Sequence, residues 1–151
     1  MGYCLAMKRL LWILAIVVAI AGGLGQSGGR LALFNGVEPA AGAHAIEKAF
    51  RERQSGVQVM GEGVVAALLS DDNQGSRHQR FILRLESGQT VLVAHNIDLA
   101  ARIVSLGKGD SVAFHGVYEW NDKGGVIHWT HHDPAGRHIP GWLKHEGQTY
   151  E

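Results

Sequence analysis

One cysteine in 151 residues, three prolines and equal numbers of basic and acidic side chains, 14 of each, exclude several classes of protein at once. The lone cysteine, Cys4, precedes the first apolar run, so the chain holds no disulfide framework. For the same reason Cys4 is not the lipid-bearing cysteine that follows such a run in a lipoprotein signal. The charge balance lacks the basic excess with which nucleic-acid binders neutralise phosphates, so nucleic acid is not an expected partner. Long hydrophobic runs are missing too: the stretch over residues 10–20 falls short of the ~20 residues that a spanning helix needs. Nor does the chain contain a Gly-rich phosphate loop, a G-x-S-x-G elbow, an H-E-x-x-H or a C-x-x-C pair.

What is present begins with the basic pair Lys8-Arg9, that short apolar stretch, and then Ala19-Ile20-Ala21 followed by small residues. This is the n-region, h-region and A-x-A order of a secretory signal peptide over residues 1–21. The chain is therefore expected to be exported, to the periplasm or outside the cell. The alternative is an uncleaved anchor that tethers it to the inner membrane, which is the one route to a membrane partner. Met7, directly before Lys8, is an alternative start. Cleavage removes two basic residues and no acid, leaving 12 against 14 and a formal charge of −2.

Residues 22–38, glycine-rich and small, read as a linker. Pro39 suits the first position of a helix over 39–54, with Ala43, Ile46, Ala49, Phe50 and Arg53 at helical spacing and Ser55-Gly56 as its stop. From Val57 the period becomes that of strands. A long first strand carries Gly61 and Gly63, where a bend or bulge is expected. In the second strand Gln79, Phe81, Leu83 and Leu85 alternate with His78, Arg80, Ile82, Arg84 and Glu86. A third strand covers 90–95, and Leu99, Ile103 and Leu106 predict a helix over 96–106. Strands over 111–120 and 126–132 flank a turn at 121–125. Pro134, Gly136, Pro140 and Gly141 make the remainder an irregular tail. The expected fold is mainly β: a five-stranded OB-fold-like barrel over 57–151, with one helix between the third and fourth strands and a helix before the barrel. A short SH3-like barrel is the alternative.

Three stretches carry a family resemblance: Ser70-Asp71-Asp72-Asn73-Gln74-Gly75-Ser76-Arg77-His78-Gln79-Arg80-Phe81, Ala94-His95-Asn96-Ile97-Asp98-Leu99-Ala100, and Tyr118-Glu119-Trp120-Asn121 through Asp133-Pro134. Together they resemble domain-of-unknown-function family 3465, small exported bacterial proteins, over about residues 57–150. The resemblance implies a compact secreted domain and brings no catalytic residues.

Chemistry must therefore come from the side chains, and histidine stands out: five of nine lie between His128 and His145. Imidazole is both a transition-metal ligand and the side chain that titrates nearest neutrality. In an OB barrel the third and fifth strands run parallel, which brings His95 and Asn96 beside His131, His132 and Asp133. His115, on the fourth strand, pairs with His131 or Thr130 according to the hairpin register. With His138 from the tail, these residues form a candidate site for Zn²⁺ or Cu²⁺. The bland alternative is an aromatic and imidazole network that pins the tail to the barrel, with His128 a packing residue. His78, Arg80 and Arg84 share a strand face and, with Asn96, are candidates for holding a small anionic ligand. Asp71 and Asp72 sit in ordinary turn chemistry.

Three functions follow as expectations. The first is an exported binding domain for a metal ion or small anionic ligand. The second is a metal-dependent hydrolase of the phosphoesterase or nuclease type. The third is a structural or protein-interaction domain. Whether the chain is an enzyme stays open at this stage.

Overall fold

Residues 39–151 are described by a computed structural model; the expected signal peptide and linker lie outside them. Helix α1, Pro39–Arg51, is followed by strands β1 (Val57–Leu68), β2 (His78–Leu85), β3 (Thr90–Asn96), β4 (Ser111–Glu119), β5 (Val126–His128), β6 (Trp142–His145) and β7 (Gln148–Tyr150). The sheet order is β1-β2-β3-β5-β4-β6-β7, and an additional β1–β4 pairing closes the first five strands into a barrel. Parallel pairing of β3 with β5, Leu92 opposite Val126 and Val93 opposite Ile127, completes the OB-like topology expected from the sequence. Among the described residues no helix is long and apolar enough to cross a membrane.

Strand alternation fills the interior. In β2, Gln79, Phe81, Leu83 and Leu85 are buried, with His78, Arg80, Ile82 and Arg84 on the outer face. Val59 and Val65 of β1, Val91 and Val93 of β3, and Phe114 and Tyr118 of β4 join them in one core. Helix α1 contributes Ala43, Ile46 and Ala49 to that core. The helix ends at Arg51 rather than Gln54. Arg53 takes a left-handed φ of 52°, and Gln54 N–H donates to the Ala49 carbonyl at 2.8 Å, a Schellman-type finish without glycine. Trp120 then locks this end: its Nε1–H donates to the Phe50 carbonyl at 3.1 Å, and its backbone N–H to Ser55 Oγ at 2.9 Å.

Four local expectations are corrected. The bulge of β1 lies between Val65 and Ala67, not at Gly61 or Gly63. Those glycines instead admit close neighbours, the Phe114 ring and Gly42 at the first, the Arg84 backbone at the second. No helix forms over 96–106. Asn96 starts a single turn, closed by Ala100 N–H on its carbonyl at 3.1 Å. Gln79, buried on β2, then takes both backbone groups of Ile103, donating to its carbonyl and accepting from its N–H, each at 2.9 Å. A side-chain amide thus takes the backbone bonds of Ile103 that a helix would need, and the segment passes through turns at 97–99 and 104–105 instead. Strand β5 ends at His128, because Trp129 takes a φ of 53°.

The fourth correction concerns the tail, which is not irregular throughout. It returns to the sheet as the β6–β7 hairpin, whose two-residue turn, Glu146-Gly147, has φ of 49° and 81°. Leu143 and Tyr150 enter the core from it. The buried His145 donates Nε2–H to Asp110 Oδ2 at 2.8 Å, tying the hairpin to the start of β4.

Gly42 lets α1 lie against β1, where a Cβ would collide with the Met60 backbone. In an open helix Gly→Ala stabilises by about 1 kcal/mol. Here Gly42→Ala is expected to destabilise by about 1–3 kcal/mol through overpacking, read as a lower urea midpoint.

Candidate functional site

Where β5 stops, a cleft of about 420 Å³ opens beside the β3–β5 seam. Its walls come from His78 of β2, Ala94 and Asn96 of β3, and His128 and Trp129 at the end of β5, with His131 and Arg137 supplied by the following loop. Alternation sets this up: Ile127 points into the core, so His128 faces out on the side that carries Ala94 and His78. Trp129 then turns the chain away from the sheet. A left-handed φ in a bulky residue costs on the order of 1–3 kcal/mol and recurs at functional positions.

The loop is built on Asp133. Its Oδ1 accepts the Ala135 N–H at 2.9 Å, and its Oδ2 accepts those of Arg137 at 2.6 Å and His138 at 2.9 Å. These bonds, the Ala135 N–H first among them, hold its carboxyl below the usual range despite its burial. Asp133 is therefore an ionised loop organiser that accepts three backbone N–H bonds. Among the described residues that line the cleft it is the sole acid.

Hydrogen bonds to carbonyls fix the histidine tautomers, since a carbonyl only accepts. His95 is wholly buried; its Nε2–H donates to the Ala101 carbonyl at 3.2 Å, and the Thr130 hydroxyl donates to Nδ1 at 2.8 Å. Both nitrogens are engaged. His131, 4% exposed, donates Nδ1–H to the His132 carbonyl at 2.7 Å, which leaves a lone pair on Nε2. That nitrogen has no hydrogen-bond partner among the described residues. His128 has Nε2 buried without a hydrogen bond, 3.5 Å from Glu119 Oε1; burial pulls its pKa down and Glu119 partly restores it.

The other expected ligands are dispersed. His132 is exposed, and His138 stacks on the Trp129 indole with ring centroids 3.7 Å apart. His115 sits on the outer face of β4, its Nδ1–H donating to the Pro140 carbonyl at 3.0 Å and its Nε2 accepting from Gln58 at 2.9 Å. The register of Val117 opposite His128 runs toward His115 opposite Thr130, but β5 ends first and Trp142 of β6 takes that place. Among the described residues no three His, Cys, Asp or Glu side chains gather to hold a metal ion. Of the strand-face trio only His78 reaches the cleft. Arg80 donates to the Ser70 carbonyl at 3.0 Å beside Asp72, and Arg84 is exposed further along β2.

The structure thus brings together His78, Asn96, His131 and Asp133 from the expected set. It adds His128, read from the sequence as packing, together with Trp129, Arg137 and Ser76. The available signal for these was the alternation after Ile127; the outward turn at Trp129 had none.

These features define a small OB-like β-barrel with a ligand-sized cleft where its parallel seam opens. No curated protein matches the chain. The chain belongs to the DUF3465 family, described as protein of unknown function, whose model matches residues 31–151.

His95 carries a testable consequence. Burial lowers its pKa from 6.5 to about 4, the Ala101 carbonyl opposing the shift. Between these values the unfolded chain binds a proton that the folded chain does not, so stability falls as pH drops from 6.5 toward 4. The loss amounts to roughly 3 kcal/mol at about 1.4 kcal/mol per pKa unit. Urea titrations should show this drop in the parent. In His95→Gln they should show a lower midpoint at pH 7 and a shallower acid slope.

Proposed function

We propose that the chain is an exported ligand-binding module that holds a small organic anion in the cleft beside β3 and β5. The observation that carries the reading is His131: a buried imidazole, oriented through Nδ1–H, whose Nε2 is unpartnered at a cleft wall. An oriented acceptor on a largely buried side chain, facing a ligand-sized cavity, favours a ligand there. Charge supports an anion through Arg137, an exposed cation on the cleft wall. Export rests on the basic, apolar and A-x-A order of residues 8–21.

A second reading has one observation in its favour. A metal-bound imidazole usually donates its other N–H to a carbonyl or carboxylate, as His131 does. His78 and His128 line the same cleft, but no third ligand joins them in a metal-binding group among the described residues.

Calorimetric titration of the full chain with acetate, benzoate, inorganic phosphate, Zn²⁺ and Cu²⁺ separates the readings. An anion should saturate one site, and Arg137→Gln should weaken it at least tenfold, about 1.4 kcal/mol. Tight stoichiometric metal with no anion binding would replace this reading with the metal one.

A further inference from the structure

The cleft is not uniform, and its three kinds of wall differ in what they recognise. His131 offers a lone pair, because Nδ1–H is committed to the His132 carbonyl. A lone pair accepts from O–H or N–H and repels an anion, so the ligand's charge belongs elsewhere. Arg137 provides that place: it is exposed, it lines the cleft and it forms no ion pair among the described residues. The nearby acid, Asp133, spends both oxygens on backbone N–H groups. The remaining wall is apolar. Leu99, 49% exposed, lines the cleft along with Ala94, Pro134 and Trp129, whose indole carries His138 stacked on one face.

Resting on the reading of this cleft as an anion site, we propose that its ligand is a hydroxylated aromatic acid. The hydroxyl donates to His131 Nε2, the carboxylate pairs with Arg137, and the ring covers Leu99 and the indole. Each contact answers one wall. A neutral acceptor explains the hydroxyl, a planar guanidinium the carboxylate, and an aromatic flanked by an exposed leucine the ring. A cleft of about 420 Å³ has room for a molecule of that size.

The test is calorimetry on the full chain with 3- and 4-hydroxybenzoate, benzoate, 4-hydroxybenzyl alcohol and inorganic phosphate. One hydroxybenzoate should bind at least tenfold tighter than both benzoate and the alcohol. In His131→Asn, whose amide keeps a donor for the His132 carbonyl and loses the Nε2 acceptor, the hydroxyl's advantage should vanish while the carboxylate's remains. Arg137→Gln, on an exposed residue that leaves the backbone contact to Asp133 intact, should give the opposite pattern. Hydroxybenzoate binding no tighter than benzoate overturns the inference, as does an unchanged hydroxyl preference in His131→Asn. Binding of phosphate or benzoate without any hydroxyl preference removes this ligand class and leaves the cleft reading standing. No binding by any probe removes both.

Discussion

Strand β4 has one free edge, and two strands need it. Its other edge is occupied by β1 from Ser111 to Tyr118. On the free edge β5 holds Val117 to Glu119, and β6 holds Val112 to His115. One strand must leave before the other arrives, and the exchange is crowded. A side chain at Gly116 would meet the His128 carbonyl and Thr130, and one at Gly141 would meet the carbonyls of Trp129 and His115. Glycine at both places and a left-handed Trp129 between them make the crossing fit. The cleft is the other face of this arrangement: once β5 departs, β3 runs on toward Asn96 without its neighbour.

Legibility in the sequence follows from which interactions are local. Alternation in β2, the position of α1 and the order of the barrel strands could be read, because each depends on a residue's own face or on generic topology. The segment after β3 could not. Leu99, Ile103 and Leu106 do have helical spacing, but Gln79, far away in sequence, supplies the hydrogen bonds that a helix would have made for Ile103. The β6–β7 hairpin was hidden for a different reason. Its Glu146-Gly147 turn places a non-glycine at positive φ, whereas Asn-Gly or Asp-Gly would have announced it. The candidate site was half visible: parallel β3 and β5 do bring Asn96 near His131, but alternation alone does not reveal that His95 points into the core.

The histidines that drew notice as a group divide by the groups their nitrogens meet. His95 and His115 have both nitrogens engaged, and His145 is held by Asp110. His138 serves as a stacking partner for an indole. His131 alone combines deep burial, a fixed tautomer and an open nitrogen at the cleft wall. Proximity in sequence was a poor guide to shared work.

The β6–β7 hairpin bears on the order of assembly. Leu143 and Tyr150 belong to the same core as residues of α1 and β1, so that core stays open until residues 142–150 are in place. Pairings as distant as Val57 with Tyr118 and Val112 with His145 add to the delay, since long-range contacts slow folding. A core that needs residues 142–150 for its closure has little to gain from early collapse of α1 and β1 alone.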